Sequence, residues 1–161
     1  LGTGSGAVAL ALQHTRRDLL VYAVDASPEA LQVAQAIAQA LGLDIRFMHG
    51  SWLTPVSGLF HCIVANPPYI AEHDPHLAAL RHEPAQALVA GTDGLDDLRD
   101  IVANAGAHLH PGGWLLVEHG YDQAAAVREL FCTAGYGRIA SRRDLGGHER
   151  CTAGRVIGNV D

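Results

Sequence analysis

The sequence contains no lysine, and its 161 residues carry a formal net charge of −6. Proteins that bind nucleic acid irrespective of its sequence depend on lysine and arginine contacts with phosphate groups. An acidic chain whose only strongly basic side chains are arginines offers few such contacts. We therefore expect no direct binding of nucleic acid.

Long apolar runs are missing as well. None approaches the ~18 residues of a membrane-span candidate, and no basic segment followed by an apolar one stands at the start of the chain. Three cysteines without a CxxC pair predict neither a disulfide framework nor a zinc site. Since 48% of the residues are hydrophobic, the chain is globular. We expect a cytoplasmic monomer that does not contact the membrane.

Ten histidines invite a metal interpretation, chiefly the pair His73 and His76 and the pair His108 and His110. The first pair lies in a proline-containing loop and the second at the end of a predicted helix. Neither pair has further ligands at the spacing that metal sites require. We therefore predict no metal site.

Apolar residues recur with helical and extended periods in alternation along the chain. The predicted strands are residues 19–24, 45–49, 60–65 and 114–118, and the predicted helices are residues 27–41, 95–109 and 127–134. Two further extended segments, residues 138–144 and 151–157, lie on either side of Gly146 and Gly147, which predicts a hairpin. Strands alternating with helices indicate an α/β fold with a doubly wound, mostly parallel sheet and a C-terminal antiparallel hairpin. The polar stretch of residues 71–93 has neither period, and loops of that length are typically functional or mobile.

The chain opens with a glycine loop, residues 2–6, in the sequence LGTGSG. Gly2, Gly4 and Gly6 allow the backbone to approach a ligand closely, and a following helix would direct its amide groups at that ligand. Asp25 ends the next strand, where an acidic residue accepts the hydroxyls of a ribose. The pattern predicts an adenosine-containing cofactor, although a tight strand-to-helix turn alone has similar features. We expect the first strand of the sheet, which feeds this loop, to lie outside the chain, so that residues 1–161 are an N-terminally truncated domain.

The most constrained stretch is the NPPY segment, Asn66, Pro67, Pro68 and Tyr69, which follows a predicted buried strand. Residues before proline are held extended, and the two prolines remove two backbone donors. The Asn66 side-chain oxygen and the Pro67 carbonyl can then both accept hydrogens from one NH₂ group. Tyr69 supplies a flat face for a planar substrate.

This arrangement suits methylation of an amide or exocyclic amine nitrogen. Such a nitrogen is a poor nucleophile because its lone pair is delocalised, and holding both hydrogens localises and directs that lone pair. Orientation and electrostatic fit carry the step without a strong base or a metal. The matching electrophile is a methyl group on a sulfonium. We predict Asn66, Pro67 and Tyr69 as catalytic residues, and these three with Pro68 as substrate-binding residues.

Several further segments, in chain order, extend the pattern: LGTGSG (1–6), AVDAS (23–27), ANPPYI (65–70), HEPAQAL (82–88), GTDGLDDLR (91–99), PGGWLLVEHG (111–120) and DLGGHER (144–150). Together they resemble the catalytic domain of the bacterial release-factor glutamine methyltransferases, the PrmC/HemK family. The resemblance implies a class I S-adenosylmethionine-dependent, Rossmann-like methyltransferase fold. It also implies transfer of a methyl group to the glutamine of the Gly-Gly-Gln motif of peptide chain release factors, which leaves S-adenosylhomocysteine.

The resemblance also assigns residues to the cofactor. It implies that Asp25 binds the ribose hydroxyls, that Trp52 lies beside the adenine, and that Asn66 contributes. The glycine loop lines the methionine and ribose side through Gly2, Thr3, Gly4, Ser5 and Gly6. Ser51 and His82 depart from the family pattern, which has an acidic residue and an aromatic residue at these positions, and the family's N-terminal helical domain for substrate recognition has no counterpart here.

Other functions share parts of this pattern. Adenine-N(6) DNA methyltransferases use a similar segment, but the acidic charge opposes them. Ribosomal-protein glutamine methyltransferases share the NPPY segment, whereas EHGYDQAAAV and DLGGHER favour the release-factor branch. A nicotinamide oxidoreductase would leave the NPPY segment without a role. A cofactor-binding fragment without turnover remains a further alternative.

Two smaller predictions concern charged residues. Glu118 and His119, near the end of a predicted strand, are consistent with an acid–base pair or with support of the pocket, and we favour support. Arg142, Arg143 and Arg150 surround the hairpin, which predicts a solvated face, with contact to a partner as a second interpretation and an ion pair between Asp144 and Arg150 as a third.

Overall fold

The computed structural model describes residues 1–74 and 88–158. The chain divides into two compact units, Leu1–Ser57 and Gly58–Asp161. Within the described residues, no helix is both long enough and apolar enough to span a membrane. The polar stretch predicted to be functional is described only at its ends, and the predictions for His76 and His82 lie outside the described residues.

The first unit contains two helices and a two-stranded parallel sheet. Its elements are α1 (Ala7–Thr15), β1 (Val21–Asp25), α2 (Pro28–Ala40) and β2 (Ile45–His49). Val21 lies opposite Ile45, so that both strands end at the same edge of the sheet. The core of this unit contains Leu10, Ala38, Leu43, Ile45 and Phe47.

The start of α2 follows the sequence prediction. The Ser27 hydroxyl accepts a hydrogen bond of 3.0 Å from the Ala30 amide, and Pro28 occupies the first helical position. Strand β1 begins two residues later than predicted. The Leu19 amide donates to the Arg16 carbonyl in a turn, and the Leu20 side chain is 76% exposed. An apolar residue just before a buried strand is thus not part of it.

The second unit contains a four-stranded sheet in the order β3-β4-β6-β5. Its elements are β3 (Phe60–Ala65), α3 (Asp96–Ala105), β4 (Leu109–Glu118), α4 (Ala124–Thr133), β5 (Tyr136–Arg143) and β6 (Glu149–Val156). Strands β3 and β4 are parallel, while β6 runs antiparallel to β4 and to β5. The α/β class and the C-terminal antiparallel hairpin are therefore as predicted.

The helix predicted for residues 95–109 is shorter than expected. Helix α3 ends at Ala105, a 3₁₀ turn covers Gly106–His108, and β4 begins at Leu109 rather than at Trp114. Leu109 is buried and lies opposite Phe60, so its apolar side chain fits a strand as well as a helix. The prolyl-glycyl-glycine stretch after it lies inside β4, where the register with β3 shifts between Phe60 and Cys62.

The core of the second unit is formed by side chains that are at most 2% exposed, namely Leu98, Ile101, Val102, Leu115, Val117, Val127 and Phe131. Helix α4 lies close to the sheet because β6 presents a glycine to it. A Cβ added at Gly154 would overlap the Phe131 ring. A glycine at this point of the strand therefore permits the close packing of helix on sheet.

The burial of the Tyr136 hydroxyl in this core can be tested through its effect on stability at alkaline pH. Its hydroxyl donates to the Val102 carbonyl at 3.3 Å, and burial raises its pKa from 10.0 to about 12. Because the pKa of Tyr136 is higher in the folded than in the unfolded protein, this residue contributes to stability at pH values below its ordinary pKa of 10.0. That contribution is lost as the pH rises toward the folded pKa of about 12. We expect the free energy of unfolding, measured with urea, to fall across this interval, and to fall less in Tyr136→Phe. An identical alkaline decline in both proteins would contradict this assignment.

Candidate active site

The glycine loop has the backbone geometry that close ligand approach requires. Gly2, Gly4 and Gly6 have φ angles of 60°, 55° and 89°. A Cβ added at Gly4 would meet no atom within 4 Å, whereas one at Gly6 would lie 2.9 Å from the Ala34 Cβ. Gly6 therefore allows α1 to pack against α2, and Gly4 leaves its face of the loop open to a ligand.

Asp25 organises this loop through both of its carboxylate oxygens. The Gly4 amide donates to Oδ2 at 2.7 Å, and the Ser27 amide donates to Oδ1 at 2.8 Å. Asp25 thus joins the glycine loop to the start of α2. Each carboxylate oxygen has a further acceptor site, which suits a ribose diol.

Trp52 lies in a turn at the same edge of the first unit. The Gly50 amide donates to the Asp25 carbonyl at 3.0 Å, which fixes the start of this turn. Trp52 has a φ of 44°, which is rare for a bulky residue and costs about 1–3 kcal/mol. Such strain is typical of ligand sites. A flat aromatic residue here is compatible with the predicted place beside an adenine, which stays a prediction.

The NPPY segment begins where β3 ends. Ala65, the last residue of β3, lies opposite Val117, and Asn66 directly after it is exposed. Pro67 is fully buried, and Tyr69 is half-buried. Across residues 1–74 and 88–158, no donor is hydrogen-bonded to the Asn66 side-chain oxygen or to the Pro67 carbonyl. A buried proline therefore lies in a short segment whose two acceptors have no partner in the part of the chain that the structure describes.

The segment is fixed on its far side by residues that the sequence analysis missed. Gln123, directly before α4, donates from Nε2 to the Tyr69 carbonyl at 3.0 Å. Ile70 forms a parallel bridge with Val89, and its amide donates to the Leu88 carbonyl at 2.9 Å. The sequence offered no signal for Gln123, because the predicted helix of residues 127–134 begins three residues later than α4 and did not place Gln123 at a helix start.

His119 is not an acid–base partner of Glu118. Its side chain is 0% exposed, and both ring nitrogens are within hydrogen-bond distance of protein oxygens: Nδ1 lies 2.9 Å from the Gly120 carbonyl, and Nε2 lies 2.8 Å from the Thr152 hydroxyl. A histidine without solvent access and with both nitrogens engaged has a supporting role. The interpretation as support of the pocket is therefore favoured by the structure.

The hairpin charges are arranged as predicted. Arg142 and Arg143 are exposed, and Arg150 pairs with Asp144 at 3.4 Å. The Arg150 guanidinium also lies 5.7 Å from the centre of the Tyr121 ring. Within the described residues, no group of three or more histidine, cysteine, aspartate or glutamate side chains is positioned to hold a metal ion.

The loop before α3 is held by ion pairs. Arg99 binds Asp93 and Asp96, and its hydrogen bond lowers the pKa of the Asp93 carboxyl below 3.8. The Leu95 amide also donates to the Asp93 carboxylate, at 3.1 Å. This loop contacts the NPPY segment, since a Cβ added at Gly94 would overlap the Tyr69 carbonyl oxygen.

The predicted site residues fall into two groups. The glycine loop, Asp25 and Trp52 lie at one edge of the first unit, where hydrogen bonds join Asp25 to Gly4 and to Gly50, two residues before Trp52. The NPPY segment lies in the second unit, at the carboxyl end of β3. The first group contains a glycine with open space beside it and a carboxylate, and the second contains two oxygen acceptors without a hydrogen-bond partner among the described residues.

The fold is that of class I S-adenosylmethionine-dependent methyltransferases. A methyltransferase from Pyrococcus furiosus has a similar structure, with a TM-score of 0.76 and 17% identity over 97% of this chain and 72% of that chain. Residues 1–92 match the model of the methyltransferase small domain. The chain belongs to this methyltransferase small domain family.

Curated relatives are more similar in sequence. The release factor glutamine methyltransferase of Xylella fastidiosa (strain Temecula1) is 51% identical over 162 residues, which is 98% of this chain and 59% of the relative. That of Burkholderia pseudomallei (strain K96243) is 49% identical over 168 residues, with shares of 98% and 59%. The chain thus spans 59% of the length of these relatives. The family and the fold imply S-adenosylmethionine as the methyl donor.

Asp25→Asn tests the cofactor half of the site. An asparagine has one acceptor oxygen and one NH₂ group, so either the Gly4 amide or the Ser27 amide would face an NH₂ donor in place of a carboxylate oxygen. We expect the affinity for S-adenosylmethionine, measured by calorimetry, to fall about tenfold or more, with a loss of stability of about 1–3 kcal/mol. Asp18→Asn, at a residue that is 65% exposed in the same unit, is the matched control. Equal affinities in the two variants would exclude this role for Asp25.

Proposed function

We propose that this protein transfers a methyl group from S-adenosylmethionine to the side-chain amide nitrogen of the glutamine in the Gly-Gly-Gln motif of peptide chain release factors. The observation that carries the proposal is the pair of acceptors on Asn66 and Pro67, presented by a buried proline at the end of β3. The names of the curated relatives support the same substrate.

The acceptor pair accounts for the choice of a primary amide. An amide NH₂ group has two hydrogens, and the Asn66 side-chain oxygen and the Pro67 carbonyl provide one acceptor for each. Holding both hydrogens turns the nitrogen lone pair out of conjugation and toward the electrophile. The nitrogen loses one proton after methylation, and the hydrogen bond to Asn66 provides its first path toward solvent. Tyr69 packs against the planar amide.

The first unit supplies the residues that would hold the methyl donor. When bound, S-adenosylmethionine supplies a methyl group on a positively charged sulfur, which becomes a neutral thioether. Gly4 leaves open space beside the backbone, and the Asp25 carboxylate has acceptor sites for ribose hydroxyls. We also propose Gly2, Thr3, Ser5, Gly6, Trp52 and Asn66 as cofactor contacts.

We keep ribosomal-protein glutamine methylation as a second candidate because the acceptor pair recognises the same amide. Methylation of an adenine amine would also satisfy the acceptors, but the net charge of −6 disfavours a nucleic-acid substrate. The protein partner is therefore a release factor in our proposal, and we propose a cytoplasmic monomer.

Asn66→Ala should abolish methyl transfer, with a loss of at least about 10²-fold in rate, because one of the two acceptors is removed. The residue is exposed, so we expect the stability to change little. Because Asn66 is only one of several proposed cofactor contacts, the affinity for S-adenosylmethionine should be largely retained. The measurement is mass spectrometry of a release factor, resolved to the peptide with the Gly-Gly-Gln motif. Asn104→Ala, at an exposed residue of α3, is the matched control and should retain the parent rate.

The outcomes separate the alternatives. Methylation of a ribosomal protein but not of a release factor would show that the substrate is a ribosomal protein. Methylation of adenine would show that the substrate is a nucleic acid and not a protein. Cofactor binding without any transfer would support a binding role alone. Transfer at the parent rate by the Asn66→Ala variant would overturn the acceptor-pair mechanism.

We further propose that residues 1–161 form one methyltransferase domain whose activity depends on additional sequence. The chain spans 59% of the Xylella relative, so joining it to the N-terminal part of that relative provides a direct comparison. We expect the joined protein to have a higher melting temperature and a higher rate of methyl transfer. Equal values for the joined protein and the 161-residue chain would contradict this proposal.

A further inference from the structure

The Gln123 side chain joins three backbone segments of the second unit. The two hydrogens of its Nε2 are shared among three carbonyls, that of Tyr69 at 3.0 Å and those of Asp93 and Gly94 at 3.3 Å each, so the contact with Tyr69 is the shortest. Its Oε1 accepts a hydrogen bond of 2.8 Å from the Gly120 amide. The NH₂ group of Gln123 thus faces only carbonyl oxygens, and its side-chain oxygen faces only a backbone N–H. These partners fix which way the side-chain amide of Gln123 is turned.

The Tyr69 carbonyl is enclosed by this contact and by Gly94. Gly94 is buried and has a φ of 73°, and a Cβ added there would lie 2.8 Å from Gln123 Nε2 as well as overlapping the carbonyl. On the other side of the Tyr69 peptide group, the Ile70 amide donates to Leu88 at 2.9 Å. The backbone that follows Asn66 and Pro67 is therefore held at both the carbonyl and the next amide.

Gln123 is itself held from the interior. The Gly120 amide donates to Gln123, and the carbonyl of the same glycine accepts a hydrogen bond from His119 Nδ1 at 2.9 Å. His119 Nε2 lies 2.8 Å from the Thr152 hydroxyl, which lies 2.8 Å from the Ser141 hydroxyl. Arg128 donates to Ser141 at 2.7 Å. Hydrogen bonds on both sides of the Gly120 backbone therefore connect α4, β5, β6 and the end of β4 with the NPPY segment.

A role in capping α4 does not explain all of these contacts. The bond from Gly120 to Gln123 resembles the reciprocal bond of a capping box, in which a side chain reaches a backbone amide three residues earlier. That bond uses Oε1 only. The three bonds of Nε2 lead away from the helix to Tyr69 and to the loop before α3, and none of them satisfies an amide of α4.

We propose that Gln123 is a positioning residue that sets the geometry of the acceptor pair through the Tyr69 carbonyl. This inference rests on the proposed function, in which the acceptors of Asn66 and Pro67 direct the substrate nitrogen. Pro67 and Pro68 transmit the constraint because their φ angles are fixed near −65°. Gln123 does not touch the reacting atoms. It determines where the Pro67 carbonyl and the Asn66 side chain point.

Gln123→Glu is the sharpest test, because it retains an oxygen for the Gly120 amide and replaces only the donor toward Tyr69. A carboxylate oxygen would then face three carbonyls. We expect kcat to fall about tenfold to a hundredfold, since small misplacements of reacting groups have effects of this size. The Kd for S-adenosylmethionine should stay within about twofold of the parent value. Gln39→Glu, on the exposed face of α2, has the same change of charge and should match the parent protein.

Two readouts separate positioning from general destabilisation. A protonated carboxyl can donate to the Tyr69 carbonyl, and the three carbonyls that face it favour this form and raise the pKa of the carboxyl above its ordinary value of about 4.3. The kcat of Gln123→Glu should therefore recover relative to the parent as the pH is lowered through this raised pKa. Hydrogen exchange of the Ile70 amide should be faster in Gln123→Glu, while amides in α4 retain the protection of the parent.

The results distinguish this inference from the proposed function. If the parent protein does not methylate glutamine, the proposed function fails, and hydrogen exchange at Ile70 still decides whether Gln123 holds the segment. If the parent is active and Gln123→Glu retains its kcat, or if exchange at Ile70 is unchanged, the positioning role is wrong. Uniformly faster exchange throughout α4 would assign Gln123 to helix capping instead.

Discussion

The parallel register of β3 on β4 is the constraint on which the second unit depends. Because Ala65 lies opposite Val117, the residues after both strands emerge at the same edge of the sheet. Asn66 and Pro67 follow one strand, and His119 and Gly120 follow the other. A shift of one residue would turn the buried side chains outward and would separate Tyr69 from Gln123. The position of the NPPY segment, and with it the proposed chemistry, therefore depends on the apolar packing of the side chains of β3 and β4.

The sequence was sufficient to predict the segments whose residues restrict the backbone locally. Pro28 after Ser27 marked the start of α2, the glycine loop directly precedes α1, and Asp25 and the NPPY segment lie at strand ends. The bounds of α3 and β4 were not found because Leu109 is apolar in either element. Its burial opposite Phe60 depends on residues far away in the chain, which no local period records.

Only the parts of the candidate site that depend on neighbouring residues were predicted from the sequence. Two consecutive prolines restrict the backbone where they stand, whereas the contact of Gln123 with Tyr69 joins residues that are 54 positions apart in the chain. The burial of His119 is consistent with the supporting role that we favoured, but its partner Thr152 lies 33 residues away in the chain. Asp25 shows a further limit. The pattern suggested a ribose ligand, but not that the same carboxylate would also join the Gly4 and Ser27 amides.

The hydrogen bonds from Arg128 to the Gly120 carbonyl have one direction. A guanidinium only donates, and a carbonyl only accepts, so with a neutral His119 the hydroxyl protons of Ser141 and Thr152 both point toward the imidazole. The contact with Gln123 starts from the Gly120 amide, which belongs to a different peptide group and is separated from that carbonyl by the tetrahedral Cα. Hydrogen bonds polarise one another only along an unbroken series. Arg128, which is paired with Glu149 at 3.2 Å, therefore influences Tyr69 mechanically, by keeping the backbone of Gly120 in place, and not through its electron density.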